Sequence, residues 1–246
     1  MKRSLLAAAI VTLGTLVLTA WAADKGPEAV QVDVKDLLNA RVVSTVTDGK
    51  VNNLKIDIDY AGGHATKASA ELLNAKDAHA LPNDGKFAAN EKHPEVVLNY
   101  KDGDGESNQC RRVQGEGTFS FAVPEKKYSQ MWLWVTSGGG ASDIHMELTY
   151  KDGTSETKNI QVPDWFWELK PNAKDPKEDD KNRCNLAVDL TKFSKAGPAI
   201  GNEMRHHFIH GVDAQPNPAK ELVKVTVKKD KGGLMCFYGA TGAVKE

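Results

Sequence analysis

The sequence predicts an all-β fold: an antiparallel two-sheet β-sandwich with one short helix. Three observations carry that expectation. Apolar and polar residues alternate with period two along much of the chain, the signature of half-buried strands. Turn signals such as Asp-Gly recur at short intervals, which suits a sandwich of about ten strands. Only TKASAELLNAKDAHA (66–80) has fair helical character, and it is short.

In chain order, MKRSLLAAAIVTLGTLVLTAWA (1–22) comes first. Lys2 and Arg3 make a positive start, residues 4–19 an apolar run, and Ala20-Trp21-Ala22 a small-x-small cleavage site. Secretory signal peptides have this layout. An uncleaved anchor helix needs about 20 apolar residues, more than this run offers. The expectation is a leader over 1–22 and one β-sandwich domain over 23–246, exported to the periplasm or the extracellular space. No later stretch is apolar enough to cross a membrane, so the mature chain is expected to have no membrane span.

Leu54, Ile56 and Ile58 share one side of an extended segment, and PEVVLNY (94–100) reads as the next strand, closed by the acidic loop KDGDGE (101–106). Phe119, Phe121 and Val123 alternate up to Pro124. In MWLWVT, Met131, Leu133 and Val135 take one side and Trp132 and Trp134 the other. A strand apolar on both sides is central and buried twice. TSGGGASD (136–143) lacks a phosphate-cradle pattern and reads as a loop between strands. Ile144, Met146, Leu148 and Tyr150 form the apolar side of a half-wet strand that turns at KDGT (151–154). Asp-Gly suits that hairpin because it supplies positive φ. Ile160 and Val162 lie on the return strand, which Pro163 stops because proline cannot donate to the ladder. The charged stretch ELKPNAKDPKEDDKNR (168–183) reads as a solvated loop. Strands around Leu186, Val188 and Leu190, then Val223, Val225 and Val227, then Leu234, Cys236 and Tyr238 complete the set.

Charge narrows the partners. The chain carries 32 basic and 33 acidic residues, and the net charge of −1 becomes −3 without Lys2 and Arg3. No basic stripe is present, so nucleic acid is not an expected partner. The three cysteines allow one internal bridge. Cys236 sits in the strand LMCFY and reads as a buried inert thiol. Cys110 and Cys184 both lie in polar sequence just before apolar strands, so the expected disulfide is Cys110–Cys184. No C-x-x-C spacing supports a zinc knuckle, redox motif or covalent haem.

The segment GTFSFAVPEKKYSQMWLWVTSGGGASDIHMELTYKDGTSETKNIQVPDWF (117–166) resembles the galactose-binding-like jelly-roll domains of secreted bacterial glycoside hydrolases and cell-surface proteins. The matching elements are the FAVP strand end, LWVTSGGG and the LTYKDGTSE…VPDW hairpin. HHFIHGVDAQPNPAKELVKVTV (206–227) looks like the penultimate segment of that fold. The resemblance covers 117–240 well and 30–116 loosely. It implies a jelly roll that binds carbohydrate or serves as a rigid spacer, without catalysis, and often with one structural calcium.

Candidate sites follow from residue chemistry. In DWFWE (164–168), Trp165 and Trp167 share one side of an extended chain, flanked by Asp164 and Glu168. Flat rings suit the C–H face of a sugar and carboxylates suit its hydroxyls, although such rings also serve as core cover. In RHHFIHG (205–211), His206 and His210 share one side and His207 takes the other, which makes a weak transition-metal candidate without the Glu of H-E-x-x-H. Asp102, Asp104 and Glu106 alternate as calcium ligands do, without the EF-hand spacing. Ser137 and Ser142 lack a G-x-S-x-G setting. The expected function is non-catalytic binding of a carbohydrate or cell-wall polymer, with no cofactor beyond a structural calcium. The rivals are a structural or surface-assembly spacer and a small metal- or His-dependent hydrolase.

Overall fold

Period-two alternation becomes a main sheet of eight strands, all paired antiparallel. In this computed structural model, which describes residues 27–59, 62–74, 79–166, 182–194, 197–198 and 207–244, they are β1 (Glu28–Gln31), β2 (Arg111–Val113), β3 (Gly117–Lys126), β4 (Gln130–Tyr150), β5 (Ser155–Val162), β6 (Arg183–Leu190), β7 (His207–Asp213) and β8 (Leu222–Val244). The leader and most of the 168–183 segment lie outside the described residues. β4 and β8, 21 and 23 residues long, pair from Tyr150↔Leu222 to Gln130↔Ala243. At the Tyr150 end β3 adds to β8 and β5 to β4. At the Gln130 end β1 and β2 add to β8, β7 to β4 and β6 to β7.

Strands this long cannot run straight here. Phe121 pairs with Val225, yet its ring stacks 5.4 Å from that of Phe237. Val225 and Phe237 are twelve positions apart on one strand, about 40 Å if extended. The sheet therefore folds back on itself, and its glycines mark the corner. β8 loses register on both sides of Gly232, whose φ is +135°, while β4 passes through Gly139 at +70° and Gly140 at +115°. A Cβ at Gly233 would collide with the Gly140 carbonyl and lie 2.6 Å from Ser137 Oγ. TSGGG is thus the corner of a continuous strand, not the loop expected from sequence. Alternation lapses there because glycines have no side chains to show it, and bent strands that change layers are how such sandwiches turn.

The first core fills the space between the folded halves, with Phe119, Phe121, Met131, Leu133, Met146, Leu148, Val225 and Phe237 among its members. Residues 32–110 cover the other face of the Gln130 end. There Trp132, Trp134, Cys236 and Tyr238 pack with Val42, Ile58, Leu81, Leu98 and Tyr100. The twice-buried strand expected from MWLWVT is realised: Leu133 enters one core and Trp134 the other. Trp134 also donates its indole N–H to Thr241 Oγ1 at 3.0 Å.

The covering layer is largely irregular. Its strands are short: Val43–Thr47, Lys50–Asn52 and His64–Ala65 form one sheet, and Lys86–Phe87 pairs with Val96–Val97. Leu54, Ile56 and Ile58 do not form the strand their spacing suggested. Leu54 and Ile58 are buried, but the amides of Lys55 and Ile56 both donate to the Arg41 carbonyl instead of a ladder. Helix α1 (Lys67–Leu72) is shorter than 66–80 and is capped by Thr66, whose Oγ1 accepts from the Ser69 amide. Side chains stand in for missing ladder bonds. Gln109 Oε1 accepts from the amides of Val42 and Val43 at 3.0 and 2.7 Å, while its Nε2 donates to the Val43 carbonyl at 3.0 Å. Among the described residues, no helix is long and apolar enough to cross a membrane.

Candidate functional site

Asp164 and Trp165 bond to the corner. Trp165 is only 2% exposed. Its amide donates to the Ser137 carbonyl, its carbonyl accepts from the Phe208 amide, and its indole N–H reaches Asp59 Oδ2 at 2.7 Å. The ring meets His207 edge-on at 4.2 Å and His64 at 5.5 Å. Trp165 is therefore not a sugar platform: its ring is core, packed against His64 and His207 with its N–H spent on Asp59. Asp59 Oδ2 also accepts from the Gly139 amide at 3.1 Å, and Asp164 Oδ2 from the Gly140 amide at 2.6 Å. Two carboxylates thus take successive N–H groups that the bend removes from the ladder. Burial above all raises the Asp59 pKa, against the bonds from Trp165 and Gly139. Trp167 and Glu168 lie outside the described residues.

The histidine candidates do not converge. His206 lies outside the described residues. His207 faces Trp165, whereas His210 stacks on Phe208 and meets Asn185 Oδ1 at 3.2 Å, on the opposite side of β7. Sequence reasoning missed His64, hidden in the loop-like AGGHAT. Both its ring nitrogens are buried without a hydrogen-bond partner, and burial, then the nearby His207, push its pKa down to about 3. Among the described residues, no group of three or more His, Cys, Asp or Glu is arranged to hold a metal.

The acidic loop is committed to protein partners. Asp102 Oδ1 accepts from the Val46 amide and from Thr66 Oγ1, both at 2.9 Å. Asp104 Oδ1 accepts from the amides of Glu106 and Ser107 at 3.0 and 2.9 Å. Glu106 pairs with Lys55 at 3.0 Å. The three carboxylates are each committed to different protein groups and do not converge on a calcium site. Burial raises the Asp104 pKa, but the bonds from Ser107 and Glu106 and the charge of Arg41 outweigh it and hold the carboxyl below its usual range.

The expected Cys110–Cys184 bridge is not formed; all three cysteines are buried free thiols. Cys184 opposes Gly211 from the edge strand β6. Cys110 sits beside β8, and β4 and β7 intervene, which at about 4.8 Å per strand keeps the two far apart. Cys236, by contrast, lies one diagonal step from Cys110 across the β2–β8 pairing.

Depressions also open among the described residues. One of about 290 Å³ runs between β5 and the β6–β7 edge, past Lys158, Asn159, Arg183 and Gln215. Its Asp213 accepts from the amides of Met131 and Gln215, both at 2.9 Å, and so pins the end of β7. The larger, about 600 Å³, lies in the covering layer between Lys35–Leu38, the turn at Asp84–Lys86, Val97–Lys101 and Asp104–Asn108. Gly85, with φ +72°, lets that turn press against 98–100, where a Cβ would lie 2.5 Å from the Tyr100 carbonyl. Asn99 Nδ2 donates to the Tyr238 carbonyl at 2.9 Å and Asn108 Nδ2 to the Leu38 carbonyl at 3.1 Å, so both amides are held in place.

No protein-family model matches this chain, nor does any curated protein. Solved structures do. PfGH50B is 10% identical with a TM-score of 0.31, over 57% of this chain and 21% of that one. An exo-beta-agarase is 8% identical with a TM-score of 0.28, over 70% of this chain and 24% of that one. The chain thus spans about a fifth to a quarter of the length of these two proteins.

Proposed function

We propose that the protein is an exported, non-catalytic sandwich of the galactose-binding-like kind that holds a glycan or cell-wall polymer in the larger groove. The observation that carries this reading is the set of fixed polar groups lining about 600 Å³ of open space. Sugar hydroxyls need donors and acceptors at set positions, beside modest apolar surface. Asn99 and Asn108 each spend one amide hydrogen on the fold, and among the described residues neither Oδ1 has a hydrogen-bond partner. Lys86 and Lys101 add donors, and Leu38, Val97 and Leu98 add apolar surface. Asp104, held ionised, suits acceptance of a hydroxyl hydrogen better than the proton donation a glycosidase acid must perform.

A glycan array and insoluble-polysaccharide pull-down with the purified protein test the reading. Retention on at least one polymer is expected. Asn108→Ala and Lys101→Ala should each weaken it roughly tenfold while leaving the Tm within about 2 °C, since neither side chain is in a core. A blank array, or retention indifferent to both changes, overturns the groove. The burial of Trp165 favours a second reading, a structural spacer, which expects that negative result.

A further inference from the structure

We propose that Cys110 and Cys236 are a disulfide-forming pair that staples the covering layer to the main sheet. In the β2–β8 register, Cys236 opposes Arg112 and Phe237 opposes Arg111. Cys110 is two residues before Arg112, so it projects to the same face as Cys236, one diagonal step away. A strict ladder would set such a pair roughly 7–8 Å apart between Cα atoms, so closing the bridge needs a small backbone shift at Cys110. Cys110 is free of that ladder. It lies one residue outside β2 and bonds instead to the covering layer: its amide donates to the Ala40 carbonyl, and its carbonyl accepts from the Asn39 and Ala40 amides. Both thiols border the same buried space, and Cys236, after burial, helps to raise the Cys110 pKa. Both side chains are fully buried in one core, where Tyr238 flanks them. Cys184 is remote, so the pairing has no competitor.

The chemistry balances with a small-molecule disulfide such as oxidised glutathione as oxidant. One cysteine, as thiolate, attacks the oxidant's S–S bond and expels one thiolate, leaving a mixed disulfide. The second cysteine attacks the protein sulfur of that mixed disulfide and expels the other thiolate. Two protein thiols are oxidised, one external disulfide is reduced to two thiols, and the protons pass to solvent or to the leaving thiolates. Because both sulfurs are buried, the exchange runs during folding or a transient opening of the covering layer. The inference is independent of the groove and of any ligand.

The test is to refold the full chain in a glutathione redox buffer, alkylate it under denaturing conditions and count thiols by mass. One reactive cysteine of three is expected, with Cys184 labelled and a cross-linked peptide pair containing Cys110 and Cys236. Reduction should lower the Tm by roughly 10 °C, since the bridge closes a loop of more than a hundred residues. Cys184→Ser should keep the cross-link, and Cys110→Ser should abolish it. Three labelled thiols after oxidation, or a cross-link containing Cys184, overturn the proposal; the count on the unmutated chain decides it even if Cys110→Ser misfolds.

Discussion

Trp165 shows how little a residue's chemistry says about its role until its neighbours are known. An indole flanked by Asp164 suits a sugar, but here its N–H is spent on Asp59 and its ring is buried. Trp165→Ala should cost about 3–5 kcal/mol, a core effect. Trp165→Phe should cost about 1–3 kcal/mol by leaving the Asp59 oxygen short of a donor. Urea unfolding checks both, and a near-zero cost for Trp165→Ala would return the ring to the surface. His64 and His210 make stability acid-sensitive. Burial pushes their pKa values down to about 3 and about 4, so both are neutral in the fold. The unfolded chain takes up their protons below about pH 6.5, so stability is lost as pH falls from there toward the folded values. Each should contribute about 1.4 kcal/mol per pH unit within that window, and His64→Leu should flatten the slope of stability against pH. His145 behaves in the opposite sense. Hydrogen bonds to Asn159 Oδ1 and Asp230 Oδ2 at 2.5 and 2.6 Å raise its pKa, and the same contact lowers that of Asp230. Its stabilisation is full below about pH 6.5 and lost as pH rises through the raised value, while the Asp230 share is lost at the acid end. Asp230→Asn should lower the His145 pKa seen by NMR.

At the scale of elements, the corner decides the architecture. The β4–β8 pair makes two layers only because Gly139, Gly140 and Gly232 adopt positive φ and Gly233 has no room for a side chain. Gly233→Ala or Gly140→Ala should cost about 1–3 kcal/mol. Gly103, in an open turn, also has positive φ but nothing within 4 Å of a Cβ, so Gly103→Ala isolates the backbone term. At Gly232 a Cβ would add a 2.7 Å clash with the Ala141 carbonyl to the positive φ, so equal costs at Gly103 and Gly232 would mean the corner is not sterically closed. Several strands of the main sheet were legible because their sides alternate between core and solvent, whereas Glu28–Gln31 and Arg111–Val113 went unread. The covering layer was not legible: around Leu54–Ile58 the burial alternates as in a strand, but hydrogen bonds go to Arg41 and no ladder forms. A side-chain pattern reports burial and is silent on where the amides bond.

For the whole molecule, two cores share the β4–β8 pair. Trp134→Ala should therefore cost about 3–5 kcal/mol and loosen the covering layer together with the sheet. Hydrogen exchange would detect this as lost protection at Val42 and Val43 as well as in β4. The all-β class, the twice-buried strand and the Asp-Gly hairpin could be read from sequence alone, because alternation and turn chemistry are local properties of the chain. Only tertiary structure decided that TSGGG is a corner, that Trp165 is buried with its N–H on Asp59, that Cys110 lies nearer Cys236 than Cys184, and that a polar groove opens among Asn99, Lys101 and Asn108. Those facts depend on which distant segments the folded sheet brings within reach of one another, and no local pattern encodes that distance.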